Sequence, residues 1–403
     1  MWPGSVRTPM RHNPSVVPAA DSARSGEAKK ILIASGASAG HLYPALALAE
    51  NLKNKQPSWE IAFVTCRRAE IEKCIESLGY KVFIISICPF SRGFKGFMIS
   101  LYRFVKSFLE TFLIIESFRP DVVVGFGSYV SFPVILESAL FKKPTVIHEQ
   151  NVSLGLSNKV LSLCADKVAL SFADERHRKD APVDSRKFVF TGNPLRRELV
   201  KKDKEESRAF FGLAKEFTIL VLGGSQGSER INAEFKKTVD ILSAQGRDFQ
   251  FIHLCGKKDY SSLKKDYSCI KIKYRLFDFL TRMDFAYSLA DLVICRAGAG
   301  SITELAFFGK AAILIPYPYA GAHQLENAGI LKKKEAAYVI EERELAGSKL
   351  AELILKLMDS ADERAQLEKR VADFAHPEAS DRLAELVLNP DFAIGFEKNG
   401  LNP

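Results

Sequence analysis

Short apolar runs, most of them followed by a stretch with helical spacing and several by a glycine-rich turn, set the strongest limit on how this chain folds. The runs 31–35, 59–65, 82–87, 121–125 and 145–149 read as buried strands, and a second series follows at 217–222, 251–255, 270–274, 292–295 and 311–315. Continuous apolar strands alternating with helices imply parallel sheets covered on both faces. The expected fold class is α/β, with two doubly wound, Rossmann-like domains. A length of 403 residues fits two to three domains at roughly 150 residues each. We set the first domain at 30–195 and the second at 196–375, with the seam where Thr191-Gly-Asn-Pro gives way to the charged residues up to Lys204. The helical stretches 348–358 and 363–375 are expected to pack across that seam, and 376–403 to return toward the first domain. Residues 1–29 are rich in Pro, Ser, Arg and Ala without an apolar core, and are read as a disordered leader, neither a secretion signal nor a membrane span.

Three glycine turns fall at equivalent places: Ser35-Gly-Ala-Ser-Ala-Gly-His41, Gly125-Phe-Gly-Ser128, and Leu222-Gly-Gly-Ser-Gln-Gly-Ser228. One such turn is weak information, since many strand–helix connections need positive φ for steric reasons. Three of them beyond strand ends point to one cleft between the domains, because doubly wound sheets bind ligands there. A fourth turn, Gly298-Ala-Gly300, follows the strand 292–295 and opens a helical stretch from Ser301. The N–H groups and dipole of a helix start favour phosphate, and Glu304 one turn on has the chemistry to accept both hydroxyls of a ribose. Ser301 and Glu304 also have the S-x-x-E spacing of a capping box, which would close the helix start on itself.

The formal charge of +9 suggests an anionic partner. Nucleic acid is the weakest choice, because the basic residues are dispersed and no zinc-finger or RNA-binding signature occurs. Seven scattered cysteines without a C-x-x-C pair read as reduced thiols. No Asp-x-Asp occurs anywhere, so neither a metal nor another cofactor is expected.

The blocks Gly36-Ala-Ser-Ala-Gly-His41, Gly125-Phe-Gly-Ser-Tyr-Val-Ser131, His148-Glu-Gln-Asn151, Thr191-Gly-Asn-Pro-Leu-Arg196, Gly223-Gly-Ser-Gln-Gly227 and Arg296-Ala-Gly-Ala-Gly-Ser-Ile-Thr-Glu304 with His323-Gln-x-x-Asn327 resemble the MurG family of glycosyltransferases, in order and over about 30–388. The resemblance implies a GT-B fold and transfer of N-acetylglucosamine from UDP-GlcNAc to lipid I, undecaprenyl-diphospho-N-acetylmuramoyl-pentapeptide, giving lipid II for peptidoglycan. It implies a peripheral location on the cytoplasmic face of the bacterial inner membrane, and cell-wall and division proteins as partners. Carried over residue by residue, the backbone of Leu280 reads the uracil, Glu304 holds the ribose, and Ser225 with Ala299, Gly300, Ser301, Ile302 and Thr303 surrounds the donor diphosphate. Arg196, Asn151 and Gln324 take diphosphate and sugar hydroxyls, and Ser38, Ala39 and Gly40 form the acceptor-side turn. Ala37 and Ala39 stand where the family commonly has glycine, and an added methyl narrows that turn.

Direct displacement would invert the anomeric centre and needs a base for the acceptor hydroxyl. His41, after the first glycine turn, is the first candidate by titration range and position, with a phosphate ligand or helix cap as the alternative role. Glu149 is the rival base, or the residue that orients the loop carrying Asn151. His148 and His323 are as readily structural, and His253 in an apolar strand reads as a buried histidine.

Phe90, Phe94, Phe97 and Met98, beside Arg92 and Lys95, begin an aromatic stretch that runs to Phe118 and also carries Arg103 and Lys106. Those charges exclude an ordinary spanning helix and suit contact with an anionic membrane surface, against the plainer reading of a core helix with a basic outer face. Three other readings remain at this stage: another GT-B enzyme acting on glycolipids, a UDP-GlcNAc epimerase, which should carry extra acid/base carboxylates, and a non-catalytic nucleotide-sugar or lipid scaffold, which would not need His41.

Overall fold

The structure, a computed structural model, describes residues 29–36, 38–89, 93–173, 185–224, 226–319 and 323–389. Two all-parallel sheets carry the fold. The first runs β3-β2-β1-β4-β5-β6-β7, built from Lys30–Ala34 (β1), Glu60–Cys66 (β2), Lys81–Ile85 (β3), Val122–Gly125 (β4), Thr145–Glu149 (β5), Lys167–Leu170 (β6) and Phe188–Phe190 (β7). The second runs β10-β9-β8-β11-β12-β13, from Phe217–Leu222 (β8), Phe249–Leu254 (β9), Tyr274–Phe277 (β10), Leu292–Cys295 (β11), Ala312–Leu314 (β12) and Tyr338–Val339 (β13). In each sheet the strand order reverses beside the first strand, between β1 and β4 and between β8 and β11. A doubly wound sheet opens a crevice at that point.

The central strands are apolar throughout because both faces are covered. Along β1, Ile31 and Ile33 enter one core with Leu42, Ala45 and Leu48 of the helix Ala39–Lys55 (α1), while Leu32 and Ala34 enter the opposite core. The opposite core also receives Ile114 and Phe118 of Phe94–Phe118 (α3) and Val130 and Val134 of Ser128–Leu140 (α4), which follow Ala69–Ser77 (α2). The second sheet alternates in the same way, with Val293 and Cys295 on one side and Leu292 and Ile294 on the other.

Two expectations are corrected, and three strands are added. The alternating run 270–274 precedes its strand: Ile270 and Ile272 pack beneath the sheet, and β10 begins at Tyr274. The strands β6, β7 and β13 were not singled out from sequence, and β7 and β13 carry only three and two residues. The helices Gly347–Asp359 and Ala361–Ala372 do not cross the seam, because Leu350, Ile354, Leu357, Leu367 and Val371 bury against the second sheet. The crossing is made by the next helix, Ala379–Leu388, whose Leu383, Ala384, Leu386 and Val387 complete the core beside α1. The chain passes Gly192 on the way, where a Cβ would stand 2.8 Å from the Cβ of His376.

The last helix therefore belongs to the first domain's core although it follows the second domain in sequence. Leu383→Ala is expected to destabilise the protein by about 2–5 kcal/mol, the cost of an unrelaxed buried cavity. Denaturant unfolding checks this, and an unchanged midpoint would show that the helix is dispensable to that core.

Candidate active site

Two helix starts face one another across a cleft of about 830 Å³. One is α1, entered from β1 through Gly36 and Ser38, and its residues Ser38, Ala39, Gly40 and His41 line the cleft. The other is Ala299–Phe308, entered from β11 through Gly298, with Ala299, Gly300 and Ser301 on the wall. The acceptor-side turn is shaped by close approach: a Cβ on Gly36 would lie 2.5 Å from the Ser128 Cβ. Gly127, at φ +73°, leaves room for the His41 ring, whose Nε2 would be 3.6 Å from an added Cβ. Gly40 and Gly300 differ from these, since a Cβ at either would meet no protein atom within 4 Å. Packing among the described residues does not demand glycine at those two places, which both line the cleft.

The capping-box reading of Ser301 and Glu304 is not realised. The N-cap is Gly298, Ser301 is the third helical residue, and Glu304 lies in the second turn facing the cleft. The first N–H groups of a helix have no partner inside it. Here the Ile302 N–H already donates to the Gly298 carbonyl at 3.0 Å, so the groups available to an anion are those of Ala299, Gly300 and Ser301. The expectation for Ile302 and Thr303 is corrected accordingly. Ile302 is buried in the core, while the Thr303 hydroxyl donates to the Ala299 carbonyl at 2.8 Å and stands 3.1 Å from the Asn193 amide that donates to it.

Glu304 is held near Arg196, whose Nη2 lies 3.9 Å from the carboxylate, and the guanidinium also sits 4.3 Å from the Tyr43 ring centre on α1. Burial raises the Glu304 carboxyl above its ordinary range, opposed by Arg196 and the neighbouring Tyr287 phenol. The Arg196 Nε is buried without a hydrogen-bond partner. Leu280 lines the same wall, and Gln324 joins it with its Oε1 accepting from the Tyr317 N–H at 2.9 Å, which leaves its amide N–H groups to the cleft. The Ser225 expectation lies outside the described residues, as does that for Ala37. Gly227 itself is tightly packed, since a Cβ there would collide with the Cys255 carbonyl at 2.0 Å.

On the acceptor side the Ser38 hydroxyl is 2.5 Å from His41 Nδ1. If Nδ1 carries the proton and donates to Ser38, Nε2 keeps its lone pair for a base role. Glu149, the rival base, is buried and does not line the cleft. Its Oε1 accepts from the Asn151 N–H and side-chain amide at 2.9 and 3.1 Å, and its Oε2 accepts from the Gly155 N–H and Asn158 amide at 2.8 and 2.9 Å. A carboxylate so engaged holds the loop that carries Asn151 and does not line the cleft. Asn151 is itself partly committed, because its Oδ1 accepts from the Asn327 amide at 3.1 Å.

Several wall residues were not singled out from sequence. Arg296 donates to Ser228 Oγ at 2.7 Å and to the Ile315 carbonyl at 3.2 Å, pairs with Glu342, and sits over Tyr317. It stands inside the quoted glycine block, and that position was the available signal. Tyr43 had none beyond lying two residues past His41. His148 and His253 are fully buried and bonded, the latter between Tyr267 and Asn232 at 3.0 Å each.

The sequence profile of the glycosyltransferase family 28 N-terminal domain matches 31–170, and that of the family's C-terminal domain matches 218–383. A UDP-N-acetylglucosamine–N-acetylmuramyl-(pentapeptide) pyrophosphoryl-undecaprenol N-acetylglucosamine transferase of Thermodesulfovibrio yellowstonii is 38% identical over 360 residues, covering 89% of this chain and 97% of that protein. The transferase of the same name from Halothermothrix orenii is 36% identical over 368 residues, covering 89% and 98%. Among solved structures, Acinetobacter baumannii MurG superposes with a TM-score of 0.71 at 25% identity, covering 90% of this chain and 99% of that one. A UDP-N-acetylglucosamine 2-epimerase from Listeria monocytogenes, described as putative, gives 0.67 at 14% identity over 91% and 97%, a likeness of fold.

Burial lowers the His41 imidazole from its ordinary 6.5, with Glu149 opposing the shift and His323 adding to it. A lowered value favours the neutral ring, so His41 is expected to lose its proton on the acid side of pH 6.5. Replacing His323 by alanine removes one lowering influence and should move the midpoint up toward that value. Histidine-selective NMR titration reads both, and a midpoint above 6.5 in the unsubstituted protein would contradict the burial argument.

Proposed function

The chain belongs to glycosyltransferase family 28, and from that premise we infer that it moves N-acetylglucosamine from UDP-N-acetylglucosamine to the lipid-linked N-acetylmuramoyl-pentapeptide. The observation that carries this reading is the pair of opposed helix starts with glycines, Gly40 and Gly300, that the fold itself does not require. Relatives at 33–38% identity over nearly the whole chain bear the name of that transferase, whereas the structures named as epimerases share 13–14% identity and hence the fold.

The donor lies on the second domain. Its uracil meets the backbone near Leu280, its ribose hydroxyls bond to Glu304, and its diphosphate lies over the N–H groups of 299–301 with Arg196 beside it. As the sugar–phosphate bond breaks, negative charge grows on the UDP oxygen. The fixed N–H groups, the dipole of Ala299–Phe308 and the guanidinium stabilise that charge without reorganising. Gln324 and the remaining Asn151 N–H hold the sugar. The acceptor hydroxyl attacks from the α1 side and inverts the anomeric centre, and His41 Nε2 takes its proton while Ser38 fixes the ring through Nδ1. Glu149 acts by holding the 150–155 loop.

The acceptor's lipid reaches this site from a membrane surface. The helix α3 leaves a long apolar stripe outward, with Phe94 83% exposed and Phe97, Met98, Tyr102, Val105, Leu109 and Leu113 following along it. Lys95 and Lys106 supply cations on the same helix, Lys106 pairing with Glu110 at 3.4 Å. Among the described residues no helix is long and apolar enough to cross a membrane. This arrangement supports contact with an anionic interface. The sequence expectations for Phe90 and Arg92 lie outside the described residues.

Radiolabelled UDP-GlcNAc incubated with a short-chain lipid-linked acceptor in EDTA should yield the disaccharide product, and His41→Asn should slow turnover about 10²–10⁴-fold with donor affinity kept. Asparagine retains a hydrogen-bond donor for phosphate but accepts no proton at neutral pH, so near-normal turnover would make His41 a phosphate ligand.

Replacing Phe94, Phe97 and Met98 together by serine should abolish sedimentation with anionic liposomes while leaving UDP-GlcNAc binding intact. Added salt should weaken the unsubstituted protein's association, because surface cations are screened. Undiminished sedimentation of the triple variant would remove the membrane reading.

A further inference from the structure

The Arg196 guanidinium stands on the wall of the cleft between Tyr43 of the first domain and Glu304 of the second. An arginine presents its donors in one plane, and that plane serves a bidentate ligand only when something fixes its orientation. The carboxylates nearby do not fix it. Glu304 lies 3.9 Å from Nη2 and Glu198 lies 3.9 Å from Nη1, both beyond hydrogen-bond reach, and the Glu198 side chain is 71% exposed. The Arg196 Nε is buried without a partner among the described residues.

The contact that does orient the guanidinium is aromatic. Its central carbon sits 4.3 Å from the centre of the Tyr43 ring, well within cation–π range. Such a contact uses the face of the guanidinium and leaves the N–H edge free, whereas a carboxylate partner would occupy that edge. Tyr43 is mounted to serve as a platform. It packs against the core of the first domain, its neighbours Leu42 and Pro44 on α1 are buried, and its remaining surface lines the cleft. His41 stands two residues earlier on the same helix.

We propose that Tyr43 is a positioning residue whose ring holds the Arg196 guanidinium with its N–H edge toward the diphosphate of a uridine nucleotide bound at the Ala299–Ser301 helix start. The inference rests on the donor reading given above. It makes diphosphate binding on the second domain depend on a side chain of the first, and it places that platform on the helix that carries the proposed base.

The test measures dissociation constants of UDP and of uridine, which lacks the phosphates, by ligand-observed NMR on the full chain. Tyr43→Leu, which keeps bulk and removes the ring, should weaken UDP about fivefold or more, the order expected of a desolvated cation–π contact, and leave uridine unchanged. Tyr43→Phe, which keeps the ring, should bind UDP within about twofold of the unsubstituted protein. In an Arg196→Ala background, which itself weakens UDP, Tyr43→Leu should have no further effect, because the two side chains act as one unit. Tyr43→Met supplies a second ringless variant if leucine disturbs α1. Equal weakening of UDP and uridine, a phenylalanine variant as weak as the leucine one, or unchanged UDP binding in both ringless variants would overturn the proposal. If Arg196→Ala leaves UDP binding unchanged, the donor role of Arg196 is removed and the proposal falls with it.

Discussion

The buried amide of Asn327 joins the two halves of the molecule, and the geometry of the cleft depends on it. Its Nδ2 donates to Asn151 Oδ1 and to the Ala297 carbonyl at 3.1 Å each, and its Oδ1 accepts from the Val152 N–H at 2.9 Å. The side chain thereby ties the loop after β5 to the turn before Ala299–Phe308. Leaving one such buried group unpaired costs about 1–3 kcal/mol, so the three bonds hold the two turns at one spacing. Glu149 extends the same network from below by fixing Asn151 and Gly155. A few buried polar groups thus set the distance between two helix starts that belong to different sheets.

That spacing gives the helix starts their value. A single N-terminus offers a partial positive charge, worth typically 0.3–1 kcal/mol to an anion at the surface and more when partly buried. Two of them across one cleft, with Arg196 between Tyr43 and Glu304, suit the proposed pair of diphosphates, one on the donor and one on the acceptor. Arg196 touches groups of both domains, and its buried Nε has no hydrogen-bond partner among the described residues.

The first domain combines two surfaces through one helix–sheet unit. Ile114 and Phe118 of α3 anchor that helix in the core against β1 and β4, while the opposite side of the helix carries the apolar stripe. The same core supports α4, whose first residue Ser128 packs against Gly36 beside His41. The proposed lipid contact and the proposed base are therefore mounted on one rigid layer. The last helix, Ala379–Leu388, closes the other face of that sheet.

The sequence by itself determined the fold class, because apolar strands covered on both faces leave a mark within a few residues of chain. It also determined where the glycine turns fall, that Glu304 follows a helix start, and that α3 carries more phenylalanine than one buried stripe needs. These are local properties, written in neighbouring residues. Tertiary structure decided what the local pattern left open. Ser301 and Glu304 fit a capping box equally well in sequence, yet β11 delivers the chain so that Gly298 is the cap and Glu304 turns to the cleft. Sequence offered Glu149 as the residue that orients the loop carrying Asn151 ahead of its reading as a rival base, and the fold buries it where it accepts four hydrogen bonds from Asn151, Gly155 and Asn158. The partners that assemble the site, Asn193 with Thr303 and Asn151 with Asn327, lie 110 and 176 residues apart. No periodicity reaches that far, so which side chains meet was settled by how two complete sheets dock.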